Sequence, residues 1–146
     1  MLRNGCSEID NKGKLMKRSM LALTALLLSS AALADECDNA STQSELNSCT
    51  ASQYQAADKK LNQTYQDALK RATPPQAALL KKAQQTWVSL RDSDCAFVSS
   101  GVDGGSVQPM VQNQCLADKT SEREAWLASL LQCEEGDVSC PLPPAH

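Results

Sequence analysis

The chain is 146 residues long, 42% hydrophobic and 21% charged, with 14 basic and 17 acidic residues. That length holds at most one ordinary domain, and the composition describes a globular chain rather than a disordered one. The one histidine is the C-terminal residue, His146, so Ser-His-Asp, Cys-His and His-ligated metal sites lack an imidazole on a firm support, and neither catalysis of that kind nor a cofactor is expected.

At the N-terminus, Met16-Lys17-Arg18 precedes an apolar run over residues 20–28, and Ala32-Leu33-Ala34 follows as a small-residue cleavage pattern. Together these predict a signal peptide cleaved after Ala34. Residues 19–34 fall short of the roughly 20 apolar residues that a transmembrane helix needs. Residues 1–15 have no signal character and are expected to lie upstream of the true start. Asp35 and Glu36 separate the cleavage point from Cys37, so no cysteine stands where a lipid would be attached, and no membrane anchor is expected after cleavage. Periplasmic location follows, with secretion possible.

Cleavage removes Cys6 and leaves Cys37, Cys49, Cys95, Cys115, Cys133 and Cys140. An even six in a small exported domain reads as three disulfides. Residues 35–146 hold nine basic and fifteen acidic residues, a charge of −6. Such a surface argues against nucleic acid and anionic lipid as partners and favours encounter with a cationic one.

Three helices are predicted in turn. Thr42-Gln43-Ser44-Glu45 has capping-box form, and no Gly or Pro follows until Pro74, while Leu46, Cys49, Ala57, Leu61, Tyr65 and Ala68 keep one stripe apolar. Thr73-Pro74-Pro75 ends that helix, and Thr73 can cap a second with Pro74 at its first position, where a missing N–H costs nothing. Leu80, Ala83, Trp87, Leu90 and Phe97 are expected along the buried face of the second helix. Residues 99–106, with three glycines among small polar residues, form the clearest loop in the chain. A third helix follows Pro109, with Met110 or Val111, Leu116, Thr120, Arg123, Leu127 and Leu130 along one side. The last segment has three prolines in its final six residues and reads as a tail. The fold class is therefore all-α, a small bundle or hairpin of about three helices stapled by disulfides.

Six cysteines allow fifteen pairings, and spacing alone does not choose among them. The helix layout favours Cys95 with Cys115, because a hairpin about the Gly-rich loop brings them level. Cys37 with Cys49 then brackets the start of the first helix, and Cys133 with Cys140 closes a loop in the tail. C-x-x-C, H-E-x-x-H and phosphate-binding glycine motifs do not occur in the sequence, and no metal site is expected. Asp92 and Asp94 are two apart on a helix, so they point in different directions and cannot act as a glycosidase pair. Arg123 falls on the apolar stripe of the third helix, where a cation needs a partner. An internal network of Asp58, Arg91, Asp92 and Arg123 is expected, with Arg123 bridged to an acid such as Asp58 or Asp92. Trp87 and Trp126 read as core residues, with an exposed binding anchor as the alternative.

An ordered set of residues carries a family resemblance: Cys37, Ala40, Thr42-Gln43, Glu45-Leu46-Asn47 and Cys49; then Ala57-Asp58, Leu61-Asn62 and Tyr65; then Ala83-Gln84, Trp87, Arg91-Asp92 and Cys95; then Gly104-Gly105, Cys115, Thr120, Arg123 and Leu127. With its spacing this set resembles the LprI-type lysozyme-inhibitor domain family, over residues 37–130. The resemblance implies a small exported helical domain at 35–132, with a Pro-rich, disulfide-containing tail at 133–146 outside it. It implies a non-catalytic inhibitor, whose partner is lysozyme or another cationic protein and which occludes the glycan cleft of a cationic wall-degrading lysozyme. Some relatives are lipoproteins; the absence of a cysteine after Ala34 keeps that property from carrying over. The Gly-rich loop is the candidate projection, with Ser100, Asp103 and Ser106 as hydrogen-bonding contacts; the alternative for the loop is a plain helix connection, since it holds no hot-spot residue type. The alternative is an envelope interaction module, such as a chaperone, adaptor or immunity protein, that uses an apolar groove between helices. The oligomeric state is not legible in the sequence.

Overall fold

The computed structural model describes residues 37–144. The signal pattern, its cleavage point, Cys6 and His146 lie outside the described residues. Three α-helices lie within them: α1 Gln43–Arg71, α2 Pro74–Ser99 and α3 Gln108–Leu130.

Each boundary has a local cause. At the start of α1 the Glu45 amide donates to Thr42 Oγ1 at 3.2 Å, and Glu45 Oε2 accepts from the amides of Ser41 and Thr42 at 2.8 and 3.1 Å, a complete capping box. Those bonds, that of the Ser41 amide foremost, hold the Glu45 carboxyl below the usual carboxylate range. At the start of α2 the Thr73 amide donates to Gln76 Oε1 at 2.9 Å, and the prolines occupy the first turn, where no N–H is needed. One 3₁₀ turn, Ser100–Val102, carries the chain out of α2.

Side-chain contacts fix the topology. Gln43 meets Met110, Asn47 meets Ser106, Thr64 meets Glu124 and Arg71 meets Leu131, pairs that are all 59 to 67 positions apart, so α1 and α3 run parallel. Asp94 meets Lys119, Arg91 meets Thr120 and Gln84 meets Arg123, with one partner descending as the other rises, so α2 runs antiparallel to α3. The bundle is therefore up, down, up, and α3 packs chiefly along α1.

The buried apolar set is small: Leu61, Ala68, Cys95, Leu127 and Leu142. Polar side chains share the interior, and each has a partner. Thr50 Oγ1 donates to the Leu46 carbonyl at 2.9 Å, and Glu124 accepts from Thr64 Oγ1 at 2.8 Å and pairs with Lys60 at 3.2 Å. Disulfides join Cys37 to Cys49, Cys95 to Cys115 and Cys133 to Cys140, with Cα atoms 5.7, 5.5 and 5.9 Å apart. Burial of a leucine contributes about 2 kcal/mol and a disulfide about 2 to 4, so the bridges rival the apolar core in weight.

The expected buried face of α2 is corrected. The inward stripe of α2 is Leu80, Gln84, Trp87, Arg91, Cys95 and Ser99, whereas Ala83, Leu90 and Phe97 are exposed. The stripe sits one residue further round than hydrophobicity indicates, because Gln84 and Arg91 take the places assigned to Ala83 and Leu90. The tail is non-helical as expected, and it is docked against the bundle. Arg71 donates from Nε and Nη2 to the Pro143 carbonyl at 3.2 and 2.7 Å and from Nη1 to that of Leu131, Gln76 Nε2 donates to the Pro141 carbonyl, and Leu142 is buried. Leu142→Ala should therefore cost about 2 kcal/mol in urea denaturation and speed proteolytic cleavage within residues 131–144; wild-type stability in that variant would contradict the docking.

Candidate functional site

Arg91 lies where the three helices meet and is 6% exposed. Its Nε and Nη2 donate to Asp92 Oδ1 at 2.9 and 2.8 Å, Nη1 donates to Thr120 Oγ1 of α3 at 3.2 Å, and Asp58 of α1 stands 3.7 Å from Nη1. The guanidinium also lies over the rings of Tyr54 on α1 and Trp87 on α2, 5.4 and 5.1 Å from their centroids. Burial beside these charges pushes the Tyr54 hydroxyl above its ordinary range, desolvation being the main cause.

Arg123 continues the same stack from α3. It lies 5.5 Å from the Trp87 centroid and 4.3 Å from that of Trp126, so aromatic rings and guanidinium groups alternate as Tyr54, Arg91, Trp87, Arg123, Trp126. The expected bridge from Arg123 to Asp58 or Asp92 does not form, because both acids are taken by Arg91. Arg123 Nε instead donates to Gln84 Oε1 at 3.1 Å, and Nη2 is buried with no hydrogen-bond partner. Burial lowers its pKa, and the tryptophan faces on either side supply the electrostatic attraction that a carboxylate would otherwise give. The four expected members thus divide: Arg91, Asp58 and Asp92 form one ion-pair group, and Arg123 joins them only through the shared Trp87 ring.

Trp126 is 46% exposed and forms, with Leu90, Trp87, Lys119 and Glu122, the rim of a cleft of about 270 Å³. Asp94 belongs to this cleft and pairs with Lys119 at 2.8 Å, raising the Lys119 pKa through that hydrogen bond. Asp92 and Asp94 therefore serve different partners, as their spacing requires.

The Gly-rich loop is exposed and held at several points. The Cys95–Cys115 disulfide closes its base. Gln108 Nε2 donates to Asp103 Oδ1 at 2.9 Å, Gln108 Oε1 accepts from the Gly104 amide at 3.1 Å, and Asn47 Nδ2 of α1 donates to the Ser106 carbonyl at 2.9 Å. Gly104 has φ +73°, a conformation that other residues adopt only under strain. Of the expected contacts, the Ser100 hydroxyl is engaged with the Phe97 carbonyl at 2.7 Å, while Asp103 Oδ2 and the Ser106 hydroxyl make no bond within the described residues. Gln108 carries no sequence signal beyond its closeness to the loop, and Asn47, 59 positions before Ser106, is marked in the sequence only as one residue of the family resemblance.

Among the described residues no three His, Cys, Asp or Glu side chains gather as metal ligands would, and no helix is long and apolar enough to cross a membrane. The two arginines should respond differently to replacement. Arg91→Met removes both cation–aromatic contacts and the link to Thr120, and is expected to cost about 2 kcal/mol; Asp58 and Asp92, each about half exposed, return to water and limit the loss. Arg123→Met removes two cation–aromatic contacts and the Gln84 hydrogen bond but also a buried Nη2 that has no hydrogen-bond partner, and should cost less than Arg91→Met, about 1 kcal/mol. Urea denaturation measures both, and equal losses would contradict the assignment.

A family model described as lysozyme inhibitor LprI matches residues 34–127. Over 113 residues the chain is 35% identical to the uncharacterized protein R02472 of Rhizobium meliloti (strain 1021), a match that covers 68% of this chain and 81% of that one. It is 31% identical over 97 residues to the uncharacterized protein YecT of Escherichia coli (strain K12), covering 59% of this chain and 54% of YecT. No solved structure matches. The family match takes in all of α1 and α2, the loop and most of α3, with every residue of the arginine–aromatic stack. The chain belongs to the LprI lysozyme-inhibitor family.

Proposed function

We propose that this protein is exported, is cleaved after Ala34, and acts in the periplasm or outside the cell as a non-catalytic inhibitor that occludes the glycan cleft of a cationic wall-degrading lysozyme. The observation that carries the reading is the loop: an exposed projection whose base is closed by Cys95–Cys115 and whose turns are fixed by Gln108 and Asn47. A segment ordered before binding loses little conformational entropy when it enters a cleft. Asp103 and Ser106 retain free hydrogen-bonding capacity there, and Ser100 contributes through the backbone it braces.

Three further facts support it. Family membership points to lysozyme as the class of partner. Three disulfides are at home in an oxidising, extracytoplasmic compartment. The charge of −6 over residues 35–146 speeds encounter with a cationic enzyme and disfavours nucleic acid.

A second reading, an envelope interaction module, has its own support in the half-exposed Trp126 beside Leu90 at the α2–α3 cleft. An exposed tryptophan next to an arginine is the composition of a protein-binding hot spot.

Lysis of cell-wall suspensions by several lysozyme types, followed by turbidity with purified protein added, separates the two. The inhibitor reading expects at least one type to be slowed. Asp103→Ala with Ser106→Ala should then weaken inhibition about tenfold, the worth of roughly one good hydrogen bond. Lysis unchanged for every type at large molar excess would contradict the inhibitor reading and leave the interaction module.

A further inference from the structure

The loop end of the bundle differs in charge from the rest. The first half of α1, the end of α2, the loop and the start of α3 all lie there, as the contacts of Asn47 with Ser106 and Gln43 with Met110 require. Residues 37–58 and 91–119, which make up this end, contain seven acids, Asp103 and Asp118 among them, and two bases, Arg91 and Lys119. Neither base is open to a partner's carboxylate, since Arg91 is buried among its own acids and Lys119 is paired with Asp94. Residues 59–90 and 120–144 contain six acids and seven bases. The described chain is thus a dipole, −5 at the loop end and +1 over the remainder.

An apolar side chain stands within this acidic pole. Phe97 is 79% exposed, and Val98 beside it is also exposed. Phe97 is the single phenylalanine of a chain with only five aromatic residues, and its ring is outside a core that has few large side chains. Leaving such a ring in water forgoes the burial that a large apolar side chain ordinarily gains on folding. The position is also rigid: Cys95, two residues earlier, is in the bridge to α3, and the Phe97 carbonyl accepts the Ser100 hydroxyl at the entry to the loop.

We propose that Phe97 is the apolar anchor of a protein-binding surface at this pole, and that the partner is a cationic protein presenting an apolar recess bordered by lysine or arginine. The inference rests on the inhibitor reading above and extends its contact surface from the loop onto α2. A central ring supplies short-range binding energy, and the surrounding acids set the encounter rate and reject acidic proteins. Leu79, 69% exposed at the far end of the same helix, lies in the mixed-charge half and serves as the control.

The test is titration calorimetry of the whole exported protein with each cationic lysozyme type of the turbidity assay, with circular dichroism to verify folding. Phe97→Ser should weaken binding about tenfold or more, whereas Leu79→Ser should stay close to wild type. Raising salt from about 50 to about 300 mM should weaken wild-type binding by a similar factor. Equal effects of the two variants, or binding indifferent to salt, would overturn the anchor while leaving the inhibitor reading in place. Binding with the expected pattern but without slowed lysis supports the anchor and removes cleft occlusion. No binding to any of these types removes both.

Discussion

Arg91 lies where three helices meet, with its guanidinium out of water and surrounded by two carboxylates, a hydroxyl and two aromatic rings. A buried cation is costly unless each of its faces is satisfied, and here the satisfying groups come from all three helices: Asp58 and Tyr54 from α1, Asp92 and Trp87 from α2, Thr120 from α3. No single helix can supply them. The apolar core, by contrast, has few large side chains and would leave the packing angles loosely specified. Arg91 therefore sets the relative placement of the helices, and Arg123 extends the same stack to the surface at Trp126.

Placement of the helices in turn determines what the loop can do. With α2 and α3 held side by side at Arg91 and Thr120, Cys95 and Cys115 fall level, and the loop leaves from a fixed base. The parallel pairing of α1 and α3 brings Asn47 under Ser106. The braced loop thus stands at the end of the molecule that carries the net negative charge. The tail works at the opposite end, where Arg71 and Gln76 hold its carbonyls and Leu142 closes the bundle.

Much of this was legible in the sequence, and the remainder was hidden for physical reasons. Helix ends were readable because capping boxes and prolines act locally: Thr42 with Glu45, and Thr73 before Pro74 and Pro75, stand where the helices start and stop. The loop and its flanking cysteines followed from the same punctuation. The inward face of α2 did not, since hydrophobicity ranks Leu90 above Arg91, while the structure buries the arginine because aromatic rings and acids from other helices await it. The partner of Arg123 was misjudged for a related reason: a cation on an apolar stripe can be satisfied by tryptophan faces and a glutamine, and residue spacing does not record which arginine takes the acids. Docking of the tail through backbone carbonyls was invisible, because every residue carries a carbonyl.

A scaffold organised by Arg91 holds in place the loop end at which the contact surface is proposed. Hydrogen–deuterium exchange of the whole protein, alone and saturated with a cationic lysozyme, tests that connection most directly. The amides of residues 97–107 should exchange more slowly in the complex, with residues 74–83 at the far end of α2 unchanged. Protection confined to residues 74–83 or to the tail, with residues 97–107 exchanging as in the free protein, would place the partner elsewhere and contradict the account.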